Sequence, residues 1–117
     1  MITVKKEGII LKPSKHSFEA KGVFNPATVR VGNNVHMFYR ALDQHNHSTI
    51  GYCKLQGPLK VVERRDKPFL APEKRHERSY EDPRIVKLGD TYYMTYIIYD
   101  GVNVHISYAS SKDLKTF

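Results

Sequence analysis

The chain has 117 residues, which allows one domain at most and, in a sheet-rich fold, a limited core. Its net charge of +7, from 19 basic and 12 acidic side chains, suggests an anionic partner or a solvated basic surface. The lysines are scattered and the tyrosines fall inside apolar runs, which is not the basic face with exposed aromatics that nucleic acid binding requires.

Cys53 is the single cysteine, so no internal disulfide forms and a reducing compartment fits. The segment Met1 to Gly8 has no apolar stretch of signal-peptide length, and no window approaches a membrane span. The expectation is a cytoplasmic protein without nucleic acid or membrane partners.

In chain order the pattern is that of strands. Ala27 to Val31 alternates, Gly32-Asn33-Asn34 makes a turn, and Val35 to Ala41 is rich in β-branched and aromatic residues, which predicts a hairpin. A polar loop, Asp43 to Ser48, leads to Ile50-Gly51-Tyr52-Cys53, and Gly57-Pro58 punctuates the way to Val61-Val62. Glu73 to Glu81 is almost wholly polar and reads as a loop. Then Arg84 to Leu88, a Gly89-Asp90 turn, Tyr92 to Tyr99, an Asp100-Gly101 turn and Val102 to Ala109 repeat the first pattern.

The repetition is in register. Asn25-Pro26-Ala27-Thr28-Val29-Arg30-Val31-Gly32 and Asp82-Pro83-Arg84-Ile85-Val86-Lys87-Leu88-Gly89 stand at an offset of 57, which slips by one where Ile50-Gly51-Tyr52-Cys53 meets Ile106-Ser107-Tyr108-Ala109. Each unit is a three- or four-stranded antiparallel meander, four strands making a full blade. Tandem sheet units of this size are the signature of a β-propeller, in which the first strand of each blade lines a central channel. The predicted architecture is therefore all-β, with blade-like repeats over residues 20–64 and 78–117 forming the N-terminal part of one propeller domain. Because roughly four to eight blades close a ring, two blades imply either a truncated portion of a longer propeller or a unit that associates with further copies of itself. A self-contained two-sheet sandwich is the alternative.

Asn25 and Asp82 hold equivalent places in adjacent blades, so both should face one pocket. The proline after each restricts it to extended backbone, and the missing N–H costs least at a strand's first position.

Ser79-Tyr80-Glu81-Asp82-Pro83-Arg84-Ile85 resembles the Glu-Asp-Pro-Arg motif of glycoside hydrolase family 130, the β-mannoside phosphorylases and related mannosidases built on a five-bladed propeller. Phe24-Asn25-Pro26-Ala27, Phe38-Tyr39-Arg40-Ala41 and Ala109-Ser110-Ser111-Lys112-Asp113-Leu114 resemble further family segments in the same order. The resemblance implies that Asp82 is the general acid and that Asn25 and Arg40 hold the mannosyl unit, with Glu81 and Arg84 in support. It implies phosphorolysis of a β-mannooligosaccharide or mannosyl-glucose substrate, with inversion to α-mannose 1-phosphate. Inorganic phosphate is the co-substrate and no cofactor is needed. Phosphate itself carries the attacking oxygen, so the base that an inverting hydrolase needs is dispensable. The phosphate-clamping residues of relatives lie in later blades, so the isolated chain is expected to be inactive. A β-mannoside hydrolase and a non-catalytic carbohydrate-binding or structural module are the alternatives.

Alternation places Asp82 and Arg84 on one side of an extended strand, where an arginine favours the carboxylate although a general acid must carry a proton. Arg84 should therefore turn to another partner or face phosphate. His45, His47 and His36 invite a metal reading, but zinc needs about four converging ligands, and Cys53 matches Ala109 in the repeat, a core position; no metal site is expected. Lys74-Arg75-His76-Glu77-Arg78 reads as a charged loop near the pocket mouth, and Tyr92, Tyr93, Tyr96, Tyr99 and Tyr108 as blade packing.

Overall fold

The computed structural model describes residues 1–117. Seven strands form two antiparallel meanders: β1 (Gly22–Val31), β2 (Asn34–Leu42), β3 (Ser48–Gln56) and β4 (Lys60–Arg64) in one sheet, β5 (Ser79–Leu88), β6 (Thr91–Tyr99) and β7 (Val104–Ser111) in the other. The bounds of β5 and β6 are those of β1 and β2 moved by the repeat offset, and β7 begins one residue earlier than that offset gives. Both first hairpins turn on two residues with glycine leading, Gly32 and Gly89, each at φ 61°. A leading residue with positive φ is what a type II′ turn requires.

The sheets pack face to face through Phe38, Ile50 and Tyr52 of the first and Tyr80, Tyr92 and Met94 of the second. Phe69, from the connection between the sheets, meets Phe38 edge-on at 4.9 Å, and Phe117 meets it at 5.8 Å, the tilted geometry that aromatic quadrupoles favour. After β7, Ser111 Oγ accepts the Leu114 amide at 2.9 Å and tucks Leu114 into the same core.

The other face of the first sheet carries Met37, Tyr39, Ala41, Cys53 and Leu55 beneath Leu11 and Phe18. There the short 3-10 turn Ser17–Glu19 buries a carboxylate, and Glu19 accepts Tyr39 Oη at 2.7 Å and pairs with Arg64 at 3.0 Å. The outer face of the second sheet is open: Val86, Val104, Ile106 and Tyr108 share it by register, and Ile106 is 82% exposed. An unpaired apolar face is what a blade presents towards its next neighbour.

Three expectations need correction. Asn25 and Asp82 lie inside strands, not at their starts. In β1 the pairing runs Phe24 with Arg40 and then Ala27 with Phe38, so Asn25 and Pro26 together face Tyr39. In β5 it runs Glu81 with Ile97 and then Arg84 with Thr95, so Asp82 and Pro83 face Tyr96. These are β-bulges, which re-aim a side chain and leave one residue unpaired. Proline is tolerated there because no ladder bond needs its N–H.

The second correction concerns conformation. Asn25 and Asp82 both have φ 50°, in the left-handed region and not the extended one. Proline disfavours the right-handed helical region for its predecessor, but the bulge selects the left-handed alternative, which asparagine and aspartate tolerate best after glycine. The third is a boundary: the loop ends at Arg78, and Ser79, Tyr80 and Glu81 belong to β5.

Candidate active site

The two bulges face each other across the boundary between the sheets. Asn25 Nδ2 donates to Asp82 Oδ1 at 2.8 Å, joining residues 57 apart in the chain. Arg40, near the end of β2, reaches into the same place: its NH1 stands 3.6 Å from Asp82 Oδ1 and its NH2 3.1 Å from Glu81 Oε1. Both contacts to Asp82 fall on Oδ1, so Oδ2 has no protein partner. The Asp82 side chain is 30% exposed, shielded yet open to a ligand.

Arg40 is held on every side. Its Nε donates to Ser48 Oγ at 2.8 Å, and its guanidinium carbon lies 5.1 Å from the Phe24 ring centre, a cation–π contact. Glu81 is its nearer carboxylate, so much of the guanidinium charge is answered there and Asp82 takes the longer contact.

Arg84 does turn away from Asp82. Its NH1 donates to the Pro83 carbonyl at 2.8 Å. It still lines a cleft with Asp82, Thr95, Tyr96, Ile97 and Ile106, on the open face of the second sheet. All five sequence-derived candidates, Asn25, Arg40, Glu81, Asp82 and Arg84, thus lie at one locus, four of them in mutual contact.

The β2–β3 loop stands at the same end. Asp43 Oδ1 accepts the amides of His45 and His47 at 2.8 and 2.9 Å, and Lys21 bonds Asn46. His36 sits at the other end of β2, bonded to Tyr52 Oη at 2.9 Å, where burial and the Lys54 charge lower its pKa. In the loop before β5, Tyr80 Oη donates to Glu77 at 2.6 Å, which holds that carboxyl below its usual range, while Lys74, Arg75, His76 and Arg78 stay exposed. Of the tyrosines, Tyr92 is buried and Tyr96 packs on Tyr80 with ring centres 5.0 Å apart, whereas Tyr108 is 70% exposed.

Ser48 and Phe24 were not singled out as site residues by sequence. Ser48 opens a strand, and its partner Arg40 is eight residues back across a loop whose closure no local signal foretells. Phe24 adjoins Asn25 in a motif, but only the paired strands show that Arg40 lies over its ring.

Two propeller blades that bring a carboxylate, an amide and a guanidinium to one cleft are the framework of a carbohydrate-active propeller protein. The chain belongs to glycoside hydrolase family 130: residues 5–117 match that family, described as beta-1,4-mannooligosaccharide phosphorylase. It is 36% identical to the beta-1,2-mannobiose phosphorylase of Thermoanaerobacter sp. (strain X514), over 92% of this chain and 41% of that protein. It is 33% identical to the 1,2-beta-oligomannan phosphorylase of the same organism, over 82% of this chain and 36% of that protein. A solved structure of the GH130 family, described as containing glycoside hydrolases that target beta-1,2 mannosidic linkages in Candida mannan, matches with a TM-score of 0.81 at 25% identity, over 91% of this chain and 36% of the other. The chain spans about two-fifths of the length of these curated relatives. Its two sheets are two blades of the family's five-bladed propeller. No helix is long and apolar enough to cross a membrane.

Proposed function

We propose that this chain supplies the acid-bearing blades of a β-mannoside phosphorylase, one propeller domain whose further blades complete the sugar pocket and the phosphate clamp. The observation that carries this reading is the contact of Asn25, Arg40 and Asp82 across two blades. Both curated relatives are named for β-1,2-linked mannosides, which makes that linkage the first substrate class to test.

In the reaction, a phosphate oxygen attacks the anomeric carbon of the mannosyl unit from the face opposite the leaving group. The carbon–oxygen bond of the glycoside breaks, and a proton from Asp82 reaches the departing oxygen through a hydroxyl of the mannosyl ring. The products are α-mannose 1-phosphate and the shortened saccharide. Oδ2, without a protein partner, is the oxygen suited to carry that proton, while Oδ1 is anchored by Asn25 and Arg40. Asn25 and Arg40 also offer N–H donors to sugar hydroxyls at the cleft, and cationic groups from other blades hold the phosphate. Inorganic phosphate is the only co-substrate, and no cofactor takes part.

A second reading, hydrolysis by the same acid, has the solved GH130 neighbour in its favour. Phosphate dependence separates the two. The complete protein is incubated with β-1,2-mannobiose with and without phosphate, and α-mannose 1-phosphate is assayed. Phosphate-dependent product supports the phosphorylase; phosphate-independent mannose release transfers the assignment to the hydrolase. Asp82→Asn should lower kcat by about 100- to 10,000-fold, the usual contribution of a general acid, with mannoside affinity largely kept. Unchanged turnover in that variant would remove Asp82 from the chemistry. The 117-residue chain alone should release no mannose 1-phosphate. The lone buried thiol of Cys53 fits a cytoplasmic setting, and assembly into a homo-oligomer is part of the same proposal.

A further inference from the structure

What aims Arg40 at Asp82 is a pair of buried serines that belong to different blades. Ser48, wholly buried, is the first residue of β3, and its Oγ accepts Arg40 Nε–H at 2.8 Å. Its own backbone N–H donates across the sheet boundary to Ser79 Oγ at 3.0 Å. Ser79, 2% exposed, is the first residue of β5, the strand that carries Glu81 and Asp82. The contacts form a closed circuit from β5 through Ser48 and Arg40 and back to β5.

We infer that Ser48 and Ser79 are positioning residues, which fix the plane of the Arg40 guanidinium and the spacing of the two blades so that Arg40 meets Glu81 and Asp82; the inference rests on the phosphorylase reading of that site. A guanidinium is a rigid planar fork, so pinning Nε leaves rotation about that bond as its chief freedom, and the Phe24 ring beneath the plane restricts it. NH1 and NH2 then project to Asp82 Oδ1 and Glu81 Oε1. The Ser48 amide adds what a local clamp would lack, because it ties the same residue to the strand bearing the acid. Backbone pairing of Ser48 with Leu42 does not involve the hydroxyl, so Ser48→Ala removes the acceptor and keeps the ladder.

The test uses the complete protein as wild type, Ser48→Ala, Ser48→Thr and Ser79→Ala, each checked for a wild-type melting profile. Loss of one hydrogen bond to a charged group should lower kcat/KM for β-1,2-mannobiose by about tenfold to hundredfold in Ser48→Ala. Ser48→Thr, which keeps the hydroxyl, should recover most of that, and Ser79→Ala should lie between. A second readout is independent of turnover: the Arg40 Nε–Hε resonance in 15N-labelled protein, assigned with Arg40→Lys, should exchange slowly with water in the wild type and Ser48→Thr and fast in Ser48→Ala. Equal exchange in wild type and Ser48→Ala overturns the inference, as does equal kcat/KM in the two while the wild type turns over mannoside. A wild type with no mannoside turnover defeats the functional reading instead, and Arg40 exchange still decides the role of the serines.

Discussion

Asn25 and Asp82 meet through a 2.8 Å hydrogen bond although each stands on a different sheet, and each is held at φ 50° by the same kind of bulge. The duplication has therefore placed one backbone device twice and given it two side chains. Backbone and chemistry separate at Asn25. Asn25→Gly suits the left-handed conformation and should stay within about 1 kcal/mol of wild-type stability, yet it removes the amide and should weaken mannoside binding. Asn25→Val keeps a side chain but forces a β-branched residue to positive φ, at about 1–2 kcal/mol. Urea unfolding of the two variants should rank valine as the less stable.

Gly51 forms a notch for the Tyr39 ring. A Cβ at position 51 would stand 2.3 Å from Tyr39 Cε2 and 2.5 Å from Cζ, and the ring is held in place by the Tyr39–Glu19 bond. Gly51→Ala should destabilise by about 1–3 kcal/mol, the usual cost of overpacking. Combined with Tyr39→Leu, the loss should be less than additive in a double-mutant cycle; strict additivity would mean that the two sites do not compete for space.

Cys53 is wholly buried, and burial pushes its thiol up to about 11. Thiolate is the reactive form, so Ellman's reagent at pH 8 should label the folded protein only as fast as it opens, and one thiol per chain at once in denaturant. The sign for stability follows from the raised value. The contribution is full below the unfolded thiol value of about 8.5 and is lost as pH climbs from there towards about 11.

Asp100 behaves in the opposite sense. The amides of Asn103 and Val102 donate to its Oδ1 at 2.6 and 2.9 Å and hold the carboxyl down at about 2. A depressed carboxyl supports the β6–β7 turn above the unfolded value of about 3.9 and ceases to do so as pH falls towards about 2. Amide exchange at residues 102 and 103, compared after extrapolation to a common intrinsic rate, should lose protection over that window. Asp100→Ala should show little protection at any pH.

Much of this architecture was open to reading from the residues. The ends of β5 at Leu88 and of β6 at Tyr99 were legible, because the glycine turn repeats with the side-chain pattern, whereas β5 starts at Ser79, inside the polar stretch that read as a loop. Cys53 in the core followed from its match to Ala109. The bulges did not follow, since a proline narrows its predecessor's choices but only the partner strand decides among those left. Alternation placed Arg84 beside Asp82 and left open whether it turns to another partner or faces phosphate; it bonds the Pro83 carbonyl, and the arginine that reaches Asp82 is Arg40, from the other sheet. Such contacts depend on how two blades meet, and Ser48 with Ser79 is hidden for the same reason.

The spare residue in each bulge also has a genetic meaning. Tyr80 and Ile85 both pack between the sheets, and they would keep doing so if one codon between them were lost, since an unbroken strand puts residues four apart on one side. Position 82 would then turn inward, away from the cleft. An in-frame deletion at Pro83, or at Pro26 in the twin repeat, would by this register argument keep a paired ladder while turning the aspartate or the asparagine away from the cleft. On the proposed role of Asp82, missing codons at these two prolines would thus mark lineages without that activity even where the aspartate and asparagine themselves persist.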